Sequence, residues 1–129
     1  MKRTLSRTTA FAFILFFISI IVIADRGEGA LWWSFLDRIP CGDKVGHLVL
    51  VGTLSLLCNL AIPSPPCAGL WRFITLTTLV LLVLLSLEEL AQAFIPTRTC
   101  DLFDWLADLA GLALGQMAAT GLHTTPRTG

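Results

Sequence analysis

Four apolar segments, each long enough for a transmembrane helix of about 20 residues, make up most of this 129-residue chain. The chain is 55% hydrophobic and 14% charged, whereas soluble domains have roughly 25% charged residues. The sequence therefore predicts an all-α membrane protein, a bundle of about four transmembrane helices.

Composition also excludes several classes of function. The formal net charge is zero, so the chain lacks the basic surface of a nucleic-acid-binding protein. It has neither a zinc-type C-x-x-C motif nor the glycine pattern of a dinucleotide site. We therefore expect no nucleic-acid partner, no metal and no cofactor.

The first segment begins with basic residues and then runs without charge from Thr8 to Ala24. Residues 1–24 are either a first transmembrane helix or a signal peptide. Val22 and Ala24 place small residues at the −3 and −1 positions of a possible cleavage site. The length of the uncharged run favours a retained helix.

The second segment begins near Asp43 and spans residues 45–62, where a proline-rich stretch stops it. The third segment runs over residues 70–95. Its charge-free part, residues 73–87, is too short to span a bilayer alone. The third helix must therefore carry two glutamates in its last turns.

The fourth segment spans residues 101–122 and is followed by a polar tail, residues 123–129. Residues 43–122 thus form a three-helix region. Residues 25–42 form the one long outer loop, which we predict to include an interfacial segment because tryptophan favours the membrane–water boundary. Its apolar residues are Leu31, Trp32, Trp33, Phe35, Leu36 and Ile39.

Basic residues predict the orientation. With the N-terminus inside, the cytoplasmic set is Lys2, Arg3, Arg7, Arg72 and Arg127, and the outer set is Arg26, Arg38, Lys44 and Arg98. All acidic residues then lie in the outer half. We therefore predict a multi-pass protein with both termini inside and its polar residues toward the outer face.

Acidic residues lie at or inside these apolar segments, namely Asp43, Glu88, Glu89, Asp101, Asp104 and Asp108. A carboxylate at the centre of a transmembrane helix costs roughly 2.5–3.5 kcal/mol, so such residues are usually paired or functional. In the predicted topology these carboxylates and other polar groups lie at the same depth in the membrane. The candidate ligand-binding set is Asp43, Lys44, His47, Glu89, Gln92, Arg98, Asp101, Asp104 and Asp108.

On the fourth helix the acidic and small residues share one face. Asp101, Asp104, Asp108, Gly111 and Gly115 fall within an arc of about 80° on a helix of 3.6 residues per turn. The two glycines, spaced as G-x-x-x-G, allow a neighbouring helix to approach closely. The aspartates on this face are therefore predicted to point into the bundle.

Simpler roles remain open for single residues. Asp43 and Asp101 could cap the second and fourth helices. Arg98 could reach lipid phosphates, one of the two glutamates could lie in the headgroup region, and His47 could be a hydrogen-bonded packing residue. Asp104 and Asp108 fit these simpler roles least, because they lie deeper on an otherwise apolar helix.

These motifs, in this order, resemble the VanZ-like family of small bacterial integral membrane proteins. The matching pieces are Asp43-Lys44-x-x-His47, Glu89-x-x-Gln92 and Arg98-x-x-Asp101-x-x-Asp104-x-x-x-Asp108-x-x-Gly111-x-x-x-Gly115. They cover roughly residues 40–120. The family pattern usually has asparagine at the position of Asp108. Because the family is named for a protein that gives resistance to teicoplanin, the resemblance implies a role in the bacterial cell envelope.

The first functional hypothesis is non-catalytic binding of an anionic lipid or a peptidoglycan- or glycopeptide-related ligand, with an effect on glycopeptide susceptibility. Arg98 would hold a phosphate or carboxylate, with Lys44 beside it. Asp104 and Glu89 would orient these cations. The remaining hydrogen bonds to the head group would come from Gln92 and His47.

The second hypothesis is an intramembrane enzyme acting on a lipid-linked envelope substrate. His47 would be the base and Glu89 or Asp104 the acid. Water would be the nucleophile, and any metal would be Mg²⁺ or Mn²⁺ rather than zinc. A third hypothesis, a proton-coupled transporter, would need a homo-oligomer, because four helices are few for a carrier.

Two cysteines, Cys41 and Cys100, fall on the predicted outer side, each just before a helix of the polar set. In an oxidising compartment a disulfide between them could join the second helix to the fourth. Cys58 lies within the second segment, and Cys67 lies on the predicted inner loop.

Overall fold

The structure is a computed structural model that describes residues 2–29, 31, 34–69 and 72–124, with side chains except at positions 2, 3, 37 and 124. Within these residues it is all-helical and contains no strand. The helices are α1 (Lys2–Asp25), α2 (Gly42–Ala61), α3 (Leu76–Gln92) and α4 (Leu102–Thr124), with a 3₁₀ turn at Leu36–Arg38.

Two of these helices are long and apolar enough, by length and composition, to cross a membrane. The qualifying spans are Thr4–Asp25 in α1 and Gly42–Ala61 in α2. The helices differ in length, since α1 has 24 residues and α3 only 17. The predicted all-helical fold is therefore shown, together with two helices that are candidates for membrane association.

The α2–α4 pair forms the tightest contact in the bundle. A Cβ added at Gly115 would overlap the carbonyl oxygen of Gly52, and one at Gly111 would lie 2.8 Å from another carbonyl oxygen of α2. Ser55, which is fully buried, donates a hydrogen bond of 2.9 Å to the carbonyl of Leu112. Because glycine has no side chain, the two backbones approach to within direct contact.

An apolar core lies beside this crossing. Val51 of α2, Leu85 of α3 and Leu112 of α4 are buried together, and Phe17 of α1 packs against them. These contacts hold all four helices around one core, which fixes the position of the polar end described below.

The boundaries of α2 lie within a few residues of the prediction, whereas α3 is shorter than the predicted 70–95. The chain before α3 folds back on itself, with a bridge between Pro66 and Thr75 and a 2.8 Å hydrogen bond from the Cys67 N–H to the Ile74 carbonyl. Residue 70, the predicted start, lies outside the described residues.

A buried polar cluster that the sequence reasoning missed joins the start of α3 to α2 and α4. The Asn59 side chain donates to Thr78 (2.9 Å) and accepts from the Thr75 hydroxyl (2.6 Å). Gln116 accepts the Thr75 N–H at 2.9 Å. Thr75 also caps α3 by accepting the Thr78 N–H, which explains why α3 begins at Leu76.

The predicted interfacial loop lies against the start of α2. A Cβ added at Gly42 would overlap the carbonyl oxygen of Leu36, so the 3₁₀ turn sits directly on the first turn of the helix. Phe35 and Ile39 are exposed. The tryptophans of this loop, Trp32 and Trp33, and the tail at 125–129 lie outside the described residues.

Candidate functional site

Lys44, in the first turn of α2, contacts three carboxylates. Its Nζ lies 2.7 Å from Asp43 Oδ2, 3.1 Å from Asp101 Oδ2 and 2.9 Å from Asp104 Oδ1. The single ammonium therefore joins the start of α2 to the start of α4. All three of its donors are used by protein carboxylates.

Asp101 combines this ion pair with a helix cap. Its Oδ1 accepts the Phe103 N–H at 2.9 Å, at the start of α4, while Oδ2 accepts from Lys44. The Phe103 N–H, with Lys44 beside it, holds the pKa of the Asp101 carboxyl below its usual value. The Asp101 N–H in turn donates to Glu89 Oε1 at 2.9 Å, which joins α3 to the same cluster.

One turn deeper, His47 pairs with Asp108. The distance from His47 Nδ1 to Asp108 Oδ1 is 2.9 Å, and Asp108 is only 3% exposed. The other ring nitrogen lies 4.0 Å from Asp104 Oδ2. A carboxylate at Nδ1 fixes the orientation of the imidazole and directs its second nitrogen away from the pair.

The glutamates at the end of α3 have different surroundings. Gln92 donates to both oxygens of Glu88, at 3.0 and 2.9 Å. Arg98, on the α3–α4 loop, has Nε 3.9 Å from Asp25 Oδ1. Among the described residues, two buried carboxylate oxygens have no hydrogen-bond partner, Asp25 Oδ1 and Glu89 Oε2.

A cavity of about 480 Å³ opens beside these groups. Its walls are mostly apolar and come from α1, α2 and the middle of α3, with Phe35 and Leu36 of the outer loop. Polar side chains line it as well, namely Asp43, His47, Glu88, Arg98 and Asp108. The cavity is therefore amphipathic, with apolar walls and a small group of charged residues.

The structure brings the predicted site residues to one end of the bundle but divides them into three groups. Lys44 and Asp104 bind each other, and Asp101 caps α4, so these residues join helices. The residues that reach the cavity are Asp43, which also binds Lys44, and His47, Arg98 and Asp108. Glu89 and Gln92 contact neighbouring loop and helix residues.

One residue of this site was missed by the sequence reasoning. Asp25 is the first acidic residue after the long apolar run of α1, and its carboxylate lies beside Arg98. Its position at the end of an apolar helix could have marked it as a candidate site residue. Its pairing with a residue on the α3–α4 loop could not be read from the sequence.

The predicted disulfide is absent from the structure. Cys41 and Cys100 are both free and exposed. Cys41 takes a left-handed backbone conformation (φ 56°) before α2, and the Cys100 thiol lies near the Glu89 carboxylate instead. The joint between α2 and α4 is made by Lys44 and by close helix packing.

No group of three or more histidine, cysteine, aspartate or glutamate side chains within the described ranges is arranged to hold a metal ion. Aspartates that could have supplied ligands are instead directed at Lys44 and His47. The cluster is held together by protein cations.

No protein-family model, curated protein or solved structure matches this chain. The resemblance to the VanZ-like family stays a prediction from the motif residues. Function is therefore argued from the cavity and the contacts around it.

Proposed function

We propose that this chain is a VanZ-like integral membrane protein of the bacterial cytoplasmic membrane that binds a lipid or lipid-linked cell-envelope component. All four helices cross the bilayer with both termini inside, and the polar site faces outward. The observation that carries the proposal is a mostly apolar cavity lined by an arginine whose guanidinium makes no hydrogen bond within the described part of the chain.

Arg98 is the group best placed to bind the ligand. Its side chain is 19% exposed, and its one ion pair in the described residues, with Asp25, is long at 3.9 Å. A guanidinium has five N–H donors in a planar fork that matches a phosphate or carboxylate. Lys44, by contrast, is fully engaged, so we assign it to the joint between α2 and α4.

The apolar walls suit the chains of a lipid. Ligand cavities typically measure about 300–1,000 Å³ and combine apolar walls with few polar groups, and this cavity of about 480 Å³ falls within that range. Phe17 and Leu50 on facing helices would contact the acyl or prenyl chains. The head group would lie at Arg98.

One observation favours a second candidate, an acid/base enzyme acting on the same lipid. His47 lines the cavity, and Asp108 holds its Nδ1 at 2.9 Å. In this arrangement Nε2 can accept a proton from a water molecule. Lys44 holds Asp104 in an ion pair at 2.9 Å, so that carboxylate is less suited to be the acid.

Native mass spectrometry of the purified protein tests the proposal. Wild type should carry a bound lipid, Arg98→Ala should lose it, and Arg72→Ala should keep it because Arg72 is exposed before α3, away from the cavity. Retention of the same lipid by Arg98→Ala would contradict the assigned role. Conversion of the bound lipid by wild type but not by His47→Gln would favour the enzyme.

A further inference from the structure

We infer, building on the proposed function, that the head group in the cavity carries a primary ammonium beside its phosphate, as phosphatidylethanolamine does. The phosphate would bind Arg98, and the ammonium would bind the carboxylates around it. This chemistry is narrower than lipid binding through Arg98 alone, and it predicts a different order of affinities from binding of an anionic lipid.

The charge around the cavity carries the first step. Among the described residues that line it, carboxylates outnumber permanent cations. The carboxylates are Asp43, Glu88 and Asp108, and the permanent cation is Arg98. These carboxylates would repel a purely anionic head group. They would not repel a head group that has no net charge.

Individual carboxylates show where a cation would bind. Glu88 lines the cavity with Arg98, and its hydrogen bonds in the described residues come from a neutral amide, that of Gln92. A ligand ammonium beside Glu88 would therefore meet a carboxylate that, among the described residues, has no ion pair within 4.0 Å. Arg98 attracts the Glu88 carboxylate electrostatically, but the two side chains make no direct ion pair.

A buried oxygen without a donor is the second, independent observation. Among the described residues, Asp25 Oδ1 has no hydrogen-bond partner, and it lies 3.9 Å from the Nε of Arg98, which lines the cavity. Buried polar atoms in native proteins are nearly always satisfied. A primary ammonium has three N–H donors, one of which could supply the hydrogen bond that this oxygen lacks.

The same argument separates ammonium types. A quaternary ammonium, as in phosphatidylcholine, has the charge but no N–H to donate. Phosphatidylglycerol has the phosphate and hydroxyl groups but no positive charge. Among lipids with matched acyl chains, phosphatidylethanolamine should therefore bind most tightly.

Competitive native mass spectrometry tests this order. Wild type, Glu88→Gln and Arg98→Ala are each given an equimolar mixture of the three lipids in detergent with EDTA, which excludes bridging by divalent cations. We expect wild type to prefer phosphatidylethanolamine by about tenfold, the effect of one charge-assisted hydrogen bond. Glu88→Gln should keep lipid but lose most of that preference, and Arg98→Ala should lose all three lipids.

The outcomes separate the two proposals. If wild type binds phosphatidylglycerol or phosphatidylcholine as well as phosphatidylethanolamine, the ammonium is not recognised, and lipid binding stands without it. If Glu88→Gln keeps the full preference, the assigned carboxylate is wrong. If no form binds any lipid, the proposed function itself fails.

A soluble competitor identifies the source of the head group. Displacement of the lipid by glycerophosphoethanolamine would show that the head group alone is sufficient, so that a free ligand could be the natural one. No displacement, with the lipid preference intact, would identify a membrane lipid as the source. Either result supports recognition of an ammonium and a phosphate together.

Discussion

Substitution of Gly115 by alanine tests the packing that holds the site together. The added Cβ would overlap the carbonyl oxygen of Gly52 and lie 2.7 Å from the Cβ of Ser55 and 2.8 Å from the Leu56 nitrogen. All of these atoms are backbone or Cβ, so no side-chain rotation can make room. Alanine at this position must push α4 away from α2.

The expected cost follows from opposing effects. Overpacking a close contact costs about 1–3 kcal/mol, and alanine returns up to about 1 kcal/mol through its higher helix propensity. Displacement of α4 would also stretch the buried 2.9 Å hydrogen bond from Ser55 to Leu112, which is worth about 1 kcal/mol. We therefore expect the free energy of unfolding to fall by about 1–3 kcal/mol.

The assay is SDS-induced unfolding in dodecylmaltoside micelles, followed by far-ultraviolet circular dichroism. Gly121→Ala is the matched control, because a Cβ at that position meets no described atom of another helix or loop within 4 Å. It should be neutral or up to about 1 kcal/mol more stable than wild type. If Gly115→Ala were as stable as this control, α2 and α4 would not approach as closely as described.

Three further predictions follow from the charged end. Lys44→Met should lower the free energy of unfolding by about 1–3 kcal/mol, because it leaves carboxylates without their shared cation. In the same SDS titration Lys44→Arg should lose less stability, because arginine keeps the positive charge. Equal losses of stability in Lys44→Met and Lys44→Arg would argue against the role of charge. Because the folded-state pKa of Asp101 lies below its ordinary value of 3.8, its ionised form contributes stability above that value, and this contribution is lost as the pH falls through the folded-state pKa. Asp101→Asn should therefore show a smaller loss of stability on acidification than wild type, and an equal loss would show that other groups cause it. In right-side-out vesicles without reductant, an impermeant maleimide should label Cys41 and Cys100, and should label Cys67 only after permeabilisation. Labelling of Cys67 from outside would reverse the proposed orientation.

The elements most local in the sequence were the most predictable. The end of α2 followed from the prolines after Ile62, because proline cannot continue a helix. The shared face of Asp104, Asp108 and Gly111 followed from helical periodicity, and in the structure this face lies against α2. Periodicity gives the face of a helix directly, whatever it packs against.

What the sequence did not show depends on contacts between distant residues. The cap at Thr75 is set by a cluster that includes Asn59 and Gln116, each far from it in the chain. Lys44 was expected beside the ligand, but three carboxylates from two helices surround it. Opposite charges in a sequence indicate that ion pairs will form, but only the fold determines which residues pair with each other.

The unequal lengths of α1 and α3 have a consequence for the surrounding bilayer in the proposed setting. At 1.5 Å per residue α3 is about 26 Å long and α1 about 36 Å, whereas the hydrocarbon core is about 30 Å thick. One flank of the protein would therefore thin the membrane, whereas the candidate span of α1, Thr4–Asp25, is long enough to cross it. Lipids with shorter chains should collect beside α3, which also forms one wall of the cavity. The bundle would thus select its neighbouring lipids by chain length before the polar site selects any by head group.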